Sequence, residues 1–454
     1  MRVVIAGDDE VALRLAEALM VNHAVTMIHD DDADAVRLAR LDVSLAAGRM
    51  TSGPVLRAAG VETADLFVGA SSVDETNLFS CIAAGRMGAK RTVCFQFRPD
   101  AQAPPEELED LAESLGIDEL LAPARLLATE ILRIVSVSGA LDVEVFEGGR
   151  VHLLRYEVAE GAPIGKGTLA DLGVPDGVVL VMARRADEVF LPTGITQFQT
   201  GDKLTAMGTV EGLNRLLARY LRAPREGREA RRATVVGGGV VGLQVARGLE
   251  ADGWRVKLIE ADKARCEEIA PLIDGLVLHG DGADLELLEE EHVSESSVVI
   301  AVTSNDERNL LVSLLAKSLG VNRIVTRATY IANERLFERV GIDVVRSARG
   351  AAIRQVIAHV DHDKAAMLAE LEHGDAEVIE LTLPDELKPV QIMDLKSELF
   401  AIVGAILRAG RVIIPRGKDV LQGKDRVLVF CLADAEESVR TFFLKELLTR
   451  GQDA

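Results

Sequence analysis

In the second half of the chain, short continuous apolar runs alternate with segments of helical spacing, as in a parallel sheet covered by helices on both faces. The predicted strands are residues 234–236, 256–259, 275–278, 298–302 and 323–326. The predicted helices are residues 242–250, 263–270, 283–290 and 308–319. This order predicts a doubly wound nucleotide-binding fold.

The first half of the chain repeats this rhythm. Its predicted strands are residues 3–6, 24–28, 43–46, 66–69 and 92–95, and helical spacing then continues to about Ser138. Landmarks recur between the halves at a nearly constant offset: Gly7 matches Gly237, Asn77 matches Asn309, and Gly88 matches Gly320. A repeat of this length indicates a duplicated domain rather than a solenoid unit.

A different pattern follows each of these regions. From Ala140 to Leu221, alternating apolar runs are broken by glycines and prolines and end in an amphipathic helix, which predicts a small α+β domain. The segment from Val378 to Leu448 repeats this pattern. We therefore predict two tandem doubly wound Rossmann-like domains, each followed by a small α+β domain.

The pattern also predicts the domain boundaries. They are a first N-lobe (1–138), a first C-lobe (139–221), a charged linker (222–232), a second N-lobe (233–360) and a second C-lobe (361–454). An apolar helix is expected after the fifth strand of each N-lobe, at residues 108–115 and 351–360. These two helices could serve as crossovers that pack against a neighbouring chain, and the alternative is that each packs within its own domain.

The second N-lobe carries a complete glycine turn between its first strand and first helix. The turn reads Gly237-Gly238-Gly239-Val240-Val241-Gly242, which is G-x-G-x-x-G. Such glycines let the backbone approach a diphosphate at a helix N-terminus. Glu260 ends the second strand, where a carboxylate holds ribose hydroxyls. An acid at that position favours NAD(H), ATP or ADP over the NADP pair, because it needs a free 2′-hydroxyl.

Two later loops on the same edge of the predicted sheet carry small or hydrogen-bonding residues. Gly280-Asp281 ends the third strand, and Thr303-Ser304-Asn305-Asp306 ends the fourth. Because the carboxyl ends of parallel strands meet at one edge, we expect these side chains to lie beside the glycine turn.

The first N-lobe has lost this pattern. Asp8 and Asp9 occupy the second and third positions of its turn, Ala12 replaces the last glycine, and His29 replaces the ribose acid. Two carboxylates repel a diphosphate at short range, so we predict no ordinary dinucleotide there. The alternative is that Asp30 holds a ribose and the lobe binds a different ligand.

Composition narrows the classes of partner. A formal net charge of −21 and an aromatic content of 4% argue against a nucleic-acid partner. The four cysteines are far apart in apolar segments, so we expect reduced core residues. The chain starts directly as a strand, and its longest uncharged apolar stretch, residues 399–407, is too short to cross a bilayer. We expect a cytosolic protein whose membrane role comes through a partner.

Several stretches together resemble the TrkA family of Trk potassium-uptake regulators, whose members contain two tandem RCK units. The stretches are VVGGGVVG at 235–242, VKLIE at 256–260, GD at 280–281, IAVTSNDE at 300–307, IVGAILR at 402–408 and DRVLVF at 425–430. The resemblance covers essentially the whole chain. It implies a nonenzymatic protein whose rings sit beneath a membrane potassium channel or transporter and change its open probability when nucleotides bind.

The resemblance also implies the site and the assembly. The nucleotide site would comprise Gly237, Gly238, Gly239, Val240, Val241, Gly242, Glu260, Asp281, Thr303, Ser304 and Arg327. NAD(H), or alternatively ATP or ADP, would bind there. The implied assembly is a homo-oligomer, a tetrameric gating ring, bound to a TrkH-like membrane subunit at the inner face of the membrane.

Other interpretations of the sequence stay open. The glycine turn alone also suits an NAD-dependent oxidoreductase, for which His359, His362 and Asp363 are the nearest approach to a metal-binding or catalytic cluster. The same regulatory fold could serve a cation–proton antiporter. Its C-lobes could also bind a cyclic dinucleotide through Arg184, Arg185 or Arg408, although ordinary surface arginines are the simpler interpretation.

Overall fold

The computed structural model describes most of the chain. The described residues are 1–7, 9–30, 41–97, 105–136, 140–146, 150–186, 188–221, 231–321, 323–360, 367–371, 376–395 and 401–450. The predicted linker, apart from residues 231 and 232, lies outside these ranges, as do Asp8, His362 and Asp363.

The first half contains two sheets. The first N-lobe holds β1 (Arg2–Ala6), β2 (Ala24–His29), β3 (Ser44–Ala47), β4 (Leu66–Gly69), β5 (Thr92–Phe95) and β6 (Glu119–Leu121). The first C-lobe holds β7 (Ala140–Phe146), β8 (Val151–Glu157), β9 (Val178–Arg185), β10 (Glu188–Phe190) and β11 (Lys203–Gly208).

The second half repeats this arrangement. Its N-lobe holds β12 (Arg232–Val236), β13 (Arg255–Glu260), β14 (Leu276–His279), β15 (Val298–Ala301), β16 (Ile324–Ala328) and β17 (Val344–Ser347). Its C-lobe holds β18 (Met367–Leu371), β19 (Ala376–Thr382), β20 (Val390–Gln391), β21 (Ala401–Arg408), β22 (Arg411–Ile413), β23 (Val420–Leu421) and β24 (Arg426–Leu432).

The helices lie between these strands. The first half has α1 (Glu10–Leu19), α2 (Gly53–Ala58), α3 (Asp74–Met87), α4 (Pro105–Leu115), α5 (Pro123–Ser136), α6 (Leu169–Leu172) and α7 (Val210–Leu216). The second half has α8 (Val240–Ala251), α9 (Lys263–Ile269), α10 (Leu285–Glu290), α11 (Asp306–Ser318), α12 (Ile331–Arg339), α13 (Ala348–Val360), α14 (Glu436–Thr441) and α15 (Leu447–Arg450).

Both N-lobes have the doubly wound topology that the apolar runs predict. The strand orders are β3-β2-β1-β4-β5-β6 and β14-β13-β12-β15-β16-β17, and neighbouring strands run parallel. Every residue of β4 and β15 is buried, because helices cover both faces of such a sheet. The strand order reverses between β1 and β4, and again between β12 and β15, and these switch points are where this fold binds ligands.

Each N-lobe has one more strand than the sequence predicts. The extra strands, β6 and β17, are short and close one edge of each sheet. Their presence corrects the predicted pairing of the two apolar helices. Residues 108–115 lie in α4, before β6, whereas residues 351–360 lie in α13, after β17. The counterpart of α13 in the first half is therefore α5.

The C-lobes are mainly antiparallel, as their alternating pattern predicts. Their five-stranded sheets have the orders β10-β9-β11-β8-β7 and β18-β19-β24-β21-β22. The short strands β20 and β23 form a separate pair. The tandem arrangement of Rossmann-like and small α+β domains is thus confirmed.

The chain folds into two compact units that do not follow the order of the halves. One unit contains Met1–Arg133 and Glu229–Ile357, which joins the two N-lobes. The other contains Ile134–Arg228 and Ala358–Ala454, which joins the two C-lobes. Each lobe is therefore grouped with its duplicate lobe from the other half of the chain.

The paired N-lobes meet closely within their unit. Gly248 of α8 lies against Leu132 of α5, and a Cβ at residue 248 would overlap that leucine side chain. Arg354 of α13 forms a two-pronged ion pair with Glu130 of α5, with N–O distances of 3.1 and 2.6 Å. Helices from both halves therefore form this seam between the N-lobes.

The paired C-lobes share one apolar core. Both contribute buried side chains to it, namely Phe146, Val151, Leu153, Val181, Met182, Met207, Ala376, Val378, Ala405, Leu407, Leu428 and Phe430. Gly404 of β21 lies directly against Met207 of β11, and a side chain at residue 404 would overlap the methionine sulfur. The faces of β11 and β21 are thus buried by the duplicate lobe.

Candidate nucleotide site

The glycine turn of the second N-lobe begins where β12 ends. Gly237 has a left-handed φ of 109°, and its amide donates to the Ile259 carbonyl at 2.8 Å. A Cβ at residue 237 would lie 3.0 Å from the amide nitrogen of Thr303. Both the backbone conformation and the close approach of the β15 loop therefore require glycine here.

The other two motif glycines have different roles. A Cβ on Gly242 would overlap the Gly237 carbonyl oxygen, so this glycine lets α8 pack directly on the turn. Gly239 is the exposed N-cap residue of α8, and a Cβ there would have no heavy atom within 4 Å among the described residues. Since Gly239 has no side chain, the amides of the first helical turn, which includes Val240 and Val241, receive no cap from the N-cap residue. That arrangement suits an anion.

The carboxylate of Glu260 is fixed beside this turn. One of its oxygens accepts from the Gly238 amide at 2.5 Å, and the other accepts from the Asp262 amide at 2.8 Å. The end of β13 thus places an acid next to Gly238, in the middle of the glycine turn. This is the position from which a carboxylate binds ribose hydroxyls in the Rossmann fold.

A buried asparagine organises the opposite side of the site. Asn309 accepts from the Thr303 amide at 2.9 Å and from the Thr303 hydroxyl at 2.7 Å. Its side-chain nitrogen donates to the carbonyls of Thr303 and Arg327, both at 3.0 Å. One side chain therefore ties the loop after β15 to the end of β16. In the sequence, Asn309 stood out only as a landmark of the repeat. Its recurrence as Asn77 was the one signal that could have indicated this structural role.

Arg327 lies at the end of β16 with part of its side chain buried. Burial lowers the pKa of Arg327, Asp306 opposes this shift, and the positive charge of Arg349 adds to it. The guanidinium stays protonated at neutral pH. Within the described part of the chain, nothing accepts a hydrogen bond from its buried Nε atom. A buried cationic donor without an acceptor favours an anionic ligand.

The remaining two predicted residues lie at the rim. Asp281 is exposed at the end of β14, where it accepts from the Ala283 amide at 2.9 Å and lies 3.4 Å from a guanidinium nitrogen of Arg308. Ser304 is exposed in the loop after β15. The structure therefore brings the glycine turn, Glu260 and Thr303 into contact, and it joins Arg327 to them through Asn309. Which of these residues bind a nucleotide stays a prediction.

In the equivalent turn of the first N-lobe, the side chain of Asp9 caps the helix that follows. One carboxylate oxygen of Asp9 accepts from the amides of Val11 and Ala12, at 3.0 and 3.1 Å. Gly7 does not adopt the left-handed conformation of Gly237. An anion would thus meet a carboxylate already bound to the helix amides, which supports the prediction that no ordinary dinucleotide binds here.

The ribose position of the first N-lobe also differs. His29, which stands where Glu260 stands in the second half, is buried. Asp30, the alternative ribose ligand, accepts from the Met50 amide at 3.0 Å through one oxygen. That carboxylate therefore already stabilises the loop after β3.

Two of the three arginines considered as phosphate ligands in the C-lobes have structural partners. Arg185 binds the buried carboxylate of Asp202 through two hydrogen bonds, and Arg408 binds Asp425 in the same way. Burial alone would raise the pKa of Asp202, but hydrogen bonds from Arg185 and the Gln199 amide hold that pKa below its usual range. Arg185 and Arg408 thus have structural partners within their own C-lobes, and phosphate binding by these arginines stays an untested alternative.

Other expectations concern cysteines, metals and membranes. All four cysteines are free thiols and buried, as predicted. No cluster that could hold a metal occurs within the described ranges, and the His359 side chain, His362 and Asp363 lie outside them. No helix in the part of the chain that the structure describes is long and apolar enough to cross a bilayer.

Duplicated Rossmann-like lobes, each followed by a small α+β lobe, define a protein of the tandem RCK class. The solved GsuK RCK domain has this fold, with a TM-score of 0.60 and 21% identity over 99% of this chain and 95% of that one. The chain matches the TrkA-N domain family over residues 3–123 and 233–348, and the TrkA-C domain family over residues 153–220 and 379–444. It belongs to the family of Trk system potassium uptake proteins TrkA.

Individual relatives agree with this assignment. The Trk system potassium uptake protein TrkA homolog of Archaeoglobus fulgidus is 35% identical over 98% of this chain and 100% of its own length. The Trk system potassium uptake protein TrkA of Halomonas elongata is 28% identical over 95% of this chain and 96% of its own length. The family resemblance in the sequence is thus confirmed across both halves.

Proposed function

We propose that this protein is a nucleotide-binding regulatory subunit of a membrane potassium uptake system and catalyses no reaction of its own. The open N-terminus of α8 beside Glu260 is the observation that carries the proposal, because it joins amide donors for a diphosphate to an acid for a ribose. Family membership supports the transport role, since the relatives are named for potassium uptake.

The ligand that fits this site best is NAD(H), with ATP and ADP as alternatives. The glycine turn would hold the diphosphate, and Glu260 would accept hydrogen bonds from a ribose whose 2′-hydroxyl is free. Thr303, Ser304, Arg327 and Asp281 would contact the rest of the ligand. A solved neighbour of the same fold is the GsuK channel bound to NAD, which makes NAD the first ligand to test.

The regulatory step follows from general thermodynamics. A nucleotide shifts an assembly between two shapes only if it binds them with different affinity. The proposed assembly is a homotetrameric gating ring on the inner face of the membrane, held there by a TrkH-like potassium channel or transporter subunit. Different nucleotides at the same site would then stabilise different ring shapes.

Binding and regulation can be tested in sequence on the full-length protein. Isothermal titration with NADH, NAD, ATP and ADP should show binding, and each nucleotide should displace the others. Potassium flux through the co-purified membrane subunit in liposomes should then depend on which nucleotide is present. The proposal is wrong if no nucleotide binds, or if bound nucleotide leaves the flux unchanged. Hydride transfer with common substrates would contradict the nonenzymatic assignment.

A further inference from the structure

An ion pair joins the two N-lobes next to the candidate site. Nη1 of Arg349, the second residue of α13, lies 2.6 Å from a carboxylate oxygen of Glu10, the first residue of α1. Both side chains are half-buried. Glu10 directly follows Asp9, so the turn of the first N-lobe reaches the second N-lobe through this contact.

Arg349 lies on the side of the second sheet where the outer half of a nucleotide would sit. Its guanidinium carbon is 5.4 Å from the centre of the Tyr330 ring, and Tyr330 follows the end of β16 by two residues. It is also close enough to Arg327 to contribute to the lowered pKa of that residue. Arg327, near the carboxyl end of β16, and Arg349, in the first turn of the helix that follows β17, therefore lie at the same edge of the second sheet.

Arg327 and Arg349 differ in how the nearby carboxylates interact with them. Both oxygens of Asp306 accept hydrogen bonds, from the Thr329 amide and from the Asn333 side chain, each at 2.7 Å. Asp306 contributes charge near Arg327, but within the described ranges the Arg327 Nε has no acceptor. The carboxylate bound to Arg349 comes from the first N-lobe, as Glu10.

The orientation of a nucleotide in this fold determines which of its groups would lie near Arg327 and Arg349. In the Rossmann fold, the adenosine half lies on the side of the ribose acid, here β13, and the other half crosses the switch point to the opposite side. A nucleoside triphosphate would place its terminal phosphate toward Arg327 and Arg349. A dinucleotide would instead place a ribose and an uncharged reduced nicotinamide ring there.

We propose that Glu10 is a positioning residue that sets the charge preference of the nucleotide site in the second N-lobe, because its carboxylate binds the Arg349 guanidinium and so keeps it from an incoming terminal phosphate. This inference rests on the proposed function. The turn of the first N-lobe then serves a new purpose, since Asp9 closes its own helix and Glu10 tunes the neighbouring site.

The two positions that match Glu10 and Arg349 in the duplicate lobes do not form such a pair. In the register of the two glycine turns, Val240 matches Glu10, and the second residue of α5, Ala124, matches Arg349. Neither side chain carries a charge. The Glu10–Arg349 ion pair therefore has no counterpart at these two matched positions.

The test compares nucleotide preference in full-length variants by isothermal titration with ATP and NADH. Arg349→Gln should weaken ATP about tenfold and NADH less than threefold, because it removes a charged hydrogen-bond donor for the terminal phosphate. Glu10→Gln should strengthen ATP about threefold to tenfold, since Arg349 becomes available. The double variant should match Arg349→Gln, because Glu10 acts through Arg349.

Two matched controls separate this effect from loosening of the seam or loss of charge. Glu130→Gln removes the other first-lobe carboxylate that binds an arginine of α13. Glu17→Gln removes an exposed, ion-paired carboxylate on the same helix as Glu10. Both variants should keep the wild-type ratio of ATP to NADH affinity.

The outcomes distinguish this inference from the proposed function. If wild-type protein binds both nucleotides and Glu10→Gln leaves their affinity ratio unchanged, Glu10 does not set the preference. An equal loss of ATP and NADH binding in Arg349→Gln would also overturn the inference. If wild-type protein binds no nucleotide, the proposed function fails and this inference fails with it. If Arg349→Gln folds poorly, Arg349→Lys is the substitute variant. It keeps the positive charge and should retain most ATP binding.

Discussion

The two glycine turns occupy the same place in duplicated sheets and treat negative charge in opposite ways. In the second N-lobe, Gly239 leaves the first turn of α8 without a side-chain cap. In the first N-lobe, Asp9 caps α1 with its own carboxylate. The amides of one helix end thus have a permanent internal partner, whereas those of the other need water or a ligand. We therefore predict that only the second copy responds to a ligand.

What the two copies share supports this prediction. Asn77 and Asn309 both tie the loop after the fourth strand to the end of the fifth. The ion pairs Arg185–Asp202 and Arg408–Asp425 also recur. The scaffold contacts are therefore present twice, and the copies differ where a ligand would bind.

The sharpest way to break the comparison is to exchange the turn residues. Gly239→Asp should weaken nucleotide binding more than about 100-fold, because it places a carboxylate where the diphosphate binds. The same change should raise the free energy of unfolding of ligand-free protein by about 1 kcal/mol, because the new side chain can cap α8 as Asp9 caps α1. Isothermal titration and urea unfolding measure the two effects.

The reciprocal exchange is the control. Asp9→Gly should leave nucleotide affinity unchanged and lower the free energy of unfolding by a few tenths of a kcal/mol, since glycine is an acceptable N-cap residue. Equal loss of binding in Gly239→Asp and Asp9→Gly would contradict the division of labour between the lobes.

A second exchange tests the close packing of each helix on its turn. Gly242→Ala should destabilise the protein by about 1–3 kcal/mol, because its Cβ would overlap the Gly237 carbonyl oxygen. Ala12→Gly should cost about 1 kcal/mol through lost helix propensity. Urea unfolding of both variants provides the measurement. A neutral Gly242→Ala would mean that the second turn is as open as the first, which already holds an alanine.

The smallest expected loss of nucleotide binding concerns the shared asparagines. Asn309→Ala and Asn77→Ala should each lower the free energy of unfolding by about 1–3 kcal/mol, because each leaves buried polar groups without partners. Only Asn309→Ala should also weaken nucleotide binding, about threefold to tenfold, since it releases Thr303 and the end of β16. Thermal unfolding with and without NADH separates the two. A binding loss in Asn77→Ala would place a ligand in the first N-lobe.

Much of the fold was predictable because local patterns determine it. Buried apolar runs such as β4 and β15 identify parallel strands, and the glycine turn identifies the switch point. The strands β6 and β17 were missed because each is only three or four residues long and lies between two helices. Because β6 and β17 were not predicted, α4 was matched with α13. The helix that corresponds to α13 is α5, since both follow the sixth strand of their sheet.

The site was predictable only where it is local in sequence. Gly237 to Gly242 and Glu260 follow from motif and spacing, whereas the contact between Glu10 and Arg349 joins residues from opposite halves. No periodicity indicates which lobe packs on which, because apolar faces of similar composition can pair in several ways. The grouping of N-lobe with N-lobe and C-lobe with C-lobe therefore had to come from the structure.

The apolar core shared by the two C-lobes makes the gene duplication hard to reverse. Side chains such as Leu153 and Phe430 come from different halves and are buried in that one cluster. A shortened chain ending near residue 221 would leave half of this cluster facing water, so it would tend to aggregate or to recruit a second molecule as a substitute. Either half alone would therefore need another molecule to cover the face that its duplicate now buries.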